Sequence, residues 1–150
     1  MCLNKLGIYV TGGENQYLGL AKQWVNPDWI PGSFSFSEPP GTRIVFQALV
    51  GPVIQVLDFP VAVLVLRLLT YALMAVPIAL IFRLFRLTLP ETLVLAQFLI
   101  MGPQCFFGGE WIYESFEPKT VAYIFVFWGL YYWMSERWRQ SLLCLAGATY

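Results

Sequence analysis

The 150-residue sequence contains no histidine. That one absence excludes imidazole metal ligands, Ser-His-Asp and Cys-His nucleophilic machinery, and proton shuttling by imidazole. The three cysteines, Cys2, Cys105 and Cys144, are isolated, with no Cys-x-x-Cys pair to suggest a thiolate cage or a local redox couple. Two of them lie in apolar stretches, where a thiol behaves as a small hydrophobe. Charge is also scarce, at 12% of residues, where an ordinary soluble domain carries about 25%. Positive and negative charges cancel, and no basic run or stacking motif points to nucleic acid. What remains is 58% hydrophobic and 17% aromatic, the composition of a membrane protein.

The expected fold is all-α, a polytopic transmembrane helix bundle with an outer loop carrying short juxtamembrane helices. Residues 1–59 form that first outer loop. Their middle, NPDWIPGSFSFSEPPG, has the Pro, Gly and Ser of a loop. Before it, Tyr17, Leu18, Ala21 and Trp24 recur at helical spacing. After it, RIVFQALVGPVIQVL is too short to span and has Gly51-Pro52 inside it, so it is expected at the membrane interface. Residues 60–150 hold the spans, at about 60–82, 92–107 and 118–134, with a truncated one from 140. Pro60 suits a helix start, and Pro77 is expected to kink the first span. The ten residues MCLNKLGIYV are too short to span, and SLLCLAGATY starts an apolar helix and stops. The chain therefore reads as a fragment, with the remaining spans of a longer protein as its neighbours.

Arg83 and Arg86 in one short link and Arg137 and Arg139 in another set the cytoplasmic side if every span crosses. The first loop and residues 108–119 then share the outer face. Glu14, Asp28, Glu38, Asp58, Glu110, Glu114 and Glu117, seven of the nine acids, gather there. Orientation does not require this, because acids contribute little to topology.

Three groups are candidates for chemistry. Glu110, Glu114 and Glu117 fall on one stripe if 110–117 is helical, and their mutual repulsion calls for a cation, Lys119 or water. Glu117 stands at the N-cap position before Pro118. Arg67 lies about 10 Å into the first span, so it must face the bundle interior or a wet cavity, snorkel outward, or pair with an outer acid. As a functional group it would hold phosphate in a bidentate grip. Glu14 and Asp28, on or beside a short amphipathic helix, are the candidates for a general base acting on a substrate hydroxyl. The bland alternative for each is a capping or solvated loop acid.

The order of these parts, GENQYLGLAKQW, a long outer loop, an interfacial helix and then paired spans, resembles the N-terminal third of a GT-C-fold membrane glycosyltransferase. In that superfamily the first outer loop opens with D-E-x-x-Y. The matching stretch here is Gly13-Glu14-Asn15-Gln16-Tyr17, with glycine where the family has its leading, often catalytic, aspartate. GEWIYESFEPKTVAY is also similar to a segment of bacterial GT-C-like membrane proteins of unassigned function. The resemblance covers about residues 12–134. It implies a bacterial inner-membrane protein with its first loop outward. The implied donor is a polyprenyl-phosphate-linked sugar, and the acceptor lies on the outer face. Glu14 or Asp28 would be the base and Arg67 or Lys119 the phosphate ligand. Where a divalent cation is used, Glu110, Glu114 and Glu117 would hold it. A transporter component, favoured by Arg67 and the Gly-Pro breaks, and a non-catalytic membrane scaffold are the rival readings.

Overall fold

The computed structural model describes residues 12–33, 35–36, 43–101 and 116–149. All regular structure among them is helical: α1 Gly12–Val25, α2 Ile44–Val56, α3 Phe59–Leu84, α4 Leu89–Met101, α5 Pro118–Met134 and α6 Trp138–Gly147.

α1 buries Leu18 and Ala21, with Tyr17 alongside, and stops where Pro27 can no longer supply an amide. Gln23 then organises the turn that follows. Its side-chain amide donates to the Pro27 carbonyl at 2.6 Å, and its oxygen accepts from the Ile30 N–H at 3.0 Å. α2 lies beside α1 and runs the same way. Tyr17 meets Phe46 near the start of both helices, and the Gln55 amide reaches the Val25 carbonyl at 3.4 Å near their ends. Gly51 sits at the closest approach, where an added Cβ would collide with Val25. No larger residue lets two helix backbones come this near.

α3 follows after Leu57 and Asp58, with Pro60 in its first turn. It runs antiparallel to α1, which two contacts establish. Lys22 lies 4.9 Å from the Phe59 ring, and Glu14 binds Arg67. Eight residues separate these contacts on each helix, about 12 Å of rise in both. The inner face of α3 is Ala62, Val63, Leu66, Arg67, Thr70, Met74, Pro77, Ile78 and Ile81, a stripe at steps of three and four. On the outer face Val61, Val65, Leu68, Leu69, Leu73 and Val76 are exposed. At 26 residues α3 is the only helix among the described residues long and apolar enough to cross a membrane. It measures about 39 Å against a hydrocarbon core of about 30 Å. Pro77 is accommodated inside it without ending the helix.

The other expected spans are shorter as described: α4 has 13 residues, α5 17 and α6 10. The end of the expected 92–107 span lies outside the described residues. α5 packs on α3, and α6 folds back antiparallel on α5. The turns after α3 and α5 are alike. Arg86 and Glu136 take positive φ values of 54° and 61°. The next amide reaches back to Phe82 in one turn, at 3.3 Å, and to Tyr132 in the other, at 2.8 Å. This is the left-handed helix stop that glycine usually makes. At the start of α4 the Thr88 N–H and hydroxyl both donate to the Glu91 carboxylate, each at 2.7 Å.

The core joins Leu18 and Ala21 of α1, Phe46, Val50 and Ile54 of α2, Ala62, Val63 and Leu66 of α3, and Phe116. Phe116 stacks at 5.3 Å on Phe46. The chain just before α5 is thus inserted against the α1–α2 pair, next to the polar groups that follow.

Candidate functional site

Glu14 is in the first turn of α1, where the helix dipole favours an acid. Arg67 is two turns into α3 on its inner stripe. The two side chains form a fork-to-fork pair. Arg67 Nε donates to Glu14 Oε1 at 2.6 Å, and Nη2 donates to Oε2 at 2.5 Å. Glu14 Oε1 also accepts the Phe116 N–H at 2.7 Å. Glu14 is 0% and Arg67 1% exposed. Removing two charges from water costs several kcal/mol per ion, and only a well-made geometry with further hydrogen bonds offsets it. Here the bidentate fork and the backbone amide supply that geometry. Thr70, buried, and Tyr71, half-buried, stand one turn further along α3.

A second, partly buried ion pair lies next to the first. Glu117 caps α5, exchanging hydrogen bonds with Thr120, whose hydroxyl accepts the Glu117 N–H at 3.4 Å. Lys119 Nζ is 3.2 Å from Glu117 Oε2, with side chains 37% and 15% exposed. The Glu117 carboxylate also rests on the backbone of Gly13. A Cβ built at position 13 would run into that carboxylate. The corner therefore has a sealed pair, Glu14–Arg67, and a partly buried pair, Glu117–Lys119, whose carboxylate lies against Gly13.

Of the sequence candidates, the structure brings Glu14, Arg67, Glu117 and Lys119 together. Asp28 is exposed in the turn after α1, beyond the far end of a helix whose span from Glu14 is about 16 Å. It does not join the cluster. Glu110 and Glu114 lie outside the described residues. Two features escaped the sequence reading. Lys22 lies over the adjacent rings of Trp29 and Phe59, at 5.0 and 4.9 Å, and ties the loop after α1 to the start of α3. Gln47 is 2% exposed, and its side-chain oxygen has no hydrogen-bond partner among the described residues. Its position as a lone amide within IVFQALV was the available signal.

Compared with known proteins, the chain matches no family model, no curated protein and no solved structure. Among the described residues no three acidic or cysteine side chains converge as metal ligands. Glu14 is held by a guanidinium and an amide, and Glu117 by an ammonium. Of the three acids expected to hold a cation, Glu117 is thus engaged by Lys119, and the other two lie outside the described residues.

Proposed function

We propose that this protein is a membrane-embedded, GT-C-like glycosyltransferase that crosses the bilayer several times. It moves a sugar from a polyprenyl-phosphate donor to an acceptor on the outer face of a bacterial inner membrane. One observation carries the reading. The Glu117 carboxylate occupies the space a side chain at position 13 would enter. The G-E-N-Q-Y stretch lacks an acid at its head, and the chain brings one back to that place from 104 residues away (117 − 13). The apolar length of α3 supports a membrane setting.

In this reading Glu117 is the general base. It takes the proton of the acceptor hydroxyl as that oxygen bonds to the sugar carbon, while the bond from that carbon to the donor phosphate breaks. The leaving phosphate gains negative charge, and Lys119, a partly exposed ammonium beside the base, stabilises it. The sealed Glu14–Arg67 pair excludes water on the inner side of the corner. The transport reading drew on Arg67 as an intramembrane ligand, but its guanidinium is already committed to Glu14.

The test is transfer of radiolabelled sugar from polyprenyl-phosphate donors by the full-length protein in membranes. Glu117→Gln keeps a capping oxygen and lowers transfer by roughly 10²- to 10⁴-fold, the usual worth of a general base. Gly13→Asp combined with Glu117→Ser keeps a cap, restores a carboxylate at the same place, and recovers transfer. Unchanged transfer in Glu117→Gln and Lys119→Met would sink the site and leave a scaffold role.

A further inference from the structure

Resting on that reading, we infer that Glu14 and Arg67 are positioning residues, which hold the proposed base in place and do not themselves touch substrate. The inference starts from what the pair is bonded to. A carboxylate serving as base must offer a lone pair to a substrate proton, and a phosphate clamp must offer its fork to phosphate. Here Arg67 Nε and Nη2 both donate to the carboxylate, each Glu14 oxygen accepts from that fork, and Oε1 accepts the Phe116 N–H as well. Neither side chain is more than 1% exposed.

The third bond gives the pair its task. Glu14 Oε1 accepts the N–H of Phe116, the residue directly before Glu117. Phe116 is itself 3% exposed and stacked on Phe46. Two anchors, one polar and one apolar, thus fix the backbone immediately ahead of the Glu117–Lys119 pair. From that backbone the capping exchange with Thr120 starts α5. Arg67 orients Glu14 so that one oxygen points at the Phe116 amide. The chain of effect runs from Arg67 through Glu14 and the Phe116 amide to the Glu117 carboxylate lying over Gly13.

Paired substitutions separate this role from a catalytic one. In Glu14→Gln/Arg67→Met the buried charges are gone, and an amide oxygen remains to accept from Phe116. In Glu14→Leu/Arg67→Met the acceptor is gone as well. Two readouts are taken on the full-length protein: hydrogen exchange at the Phe116 amide, and sugar transfer resolved into kcat and KM. The first variant is expected to keep Phe116 protected and to transfer sugar within about tenfold of wild type. The second exchanges Phe116 on the order of a hundredfold faster. Its kcat drops on the order of a hundredfold with KM little changed, as misplacement of a reacting group by about 1 Å does.

Loss of transfer in Glu14→Gln/Arg67→Met with Phe116 still protected would overturn the inference, because a side chain of the pair would then be acting on substrate. Phe116 exchange unchanged by Glu14→Leu/Arg67→Met would overturn it too. Should that variant fail to insert, the glutamine pair decides alone. A wild type that transfers no sugar from any donor counts against the glycosyltransferase reading, while the exchange readout still decides whether Glu14 holds Phe116.

Discussion

The corner where α1 meets α3 and the seam where α5 meets α6 join helices in opposite ways. At the corner, a buried guanidinium and carboxylate clasp each other across 53 residues of sequence. At the seam there is no buried charge. Gly129 lies against Leu145 and the Ser141 carbonyl, Gly147 lies against Phe125, and the Ser141 hydroxyl donates to the Gly129 carbonyl at 2.9 Å. The seam is small residues letting backbones approach. The clasp costs desolvation and returns specificity, since one guanidinium accepts one partner geometry. The lesson is that the protein uses ordinary packing where two neighbouring helices only need to associate. It uses a buried charge pair where segments distant in sequence need one fixed register.

The largest expected effect comes from breaking the clasp on one side. Arg67→Met or Glu14→Leu alone leaves a buried charge with its chief counter-charge removed, which costs about 3–5 kcal/mol. Thermal unfolding in detergent should show a large drop for each single variant. Arg67→Met combined with Glu14→Leu should recover most of it, because apolar groups of similar volume often match a buried ion pair. If the double variant is as unstable as the singles, the pair does more for the fold than neutralise itself.

The seam should yield less. A leucine at Gly129 meets Leu145 side-chain carbons at 3.1 Å from its first carbon onward, and Ser141 backbone behind them. The expected cost is about 1–3 kcal/mol, the usual range for overpacking. It should appear as faster amide exchange in α6 with the Phe116 amide unmoved. Loss of protection at Phe116 in Gly129→Leu would show that the two junctions are coupled, and the contrast between them would weaken.

These expectations show what the sequence could and could not carry. The all-helical fold was legible because apolar spacing is local. Tyr17, Leu18 and Ala21 announce α1, and the run after Pro60 announces α3, which covers Phe59–Leu84. The cap at Glu117 was legible for the same reason, since an acid before a proline before an apolar run is a local signal. That Arg67 is costly inside an apolar helix was also readable, but whether it snorkels outward, pairs or lines a cavity was not. Its partner was not legible, because Glu14, Asp28, Glu38 and Asp58 all precede α3 and nothing in their neighbours ranks them. The Phe116 amide, 102 residues from Glu14, is a backbone group and leaves no mark on the sequence. Gly13 read as a missing acid. Only in three dimensions does it become the space that Glu117 fills.

The smallest effect concerns a third carboxylate, which sharpens the comparison because it shares one feature with Glu14. Glu91 also accepts a backbone N–H, that of Thr88, but on the exposed surface at the start of α4, ahead of the expected 92–107 span. The Thr88 hydroxyl, and then the Thr88 N–H, hold its carboxyl below the ordinary value of 4.5. A folded-state value below the unfolded one means that the cap's contribution is fully present above pH 4.5. It is lost as pH falls through the folded value. Protection of the Thr88 amide, measured against its intrinsic exchange rate at each pH, should therefore fall on acidification in the wild type and be already low, with little pH dependence, in Glu91→Ala. Since water competes for every bond this side chain makes, the change should stay within the first turn of α4 and leave the Phe116 amide untouched. The same hydrogen bond then trims a helix end when exposed, and fixes distant segments together when sealed with a guanidinium.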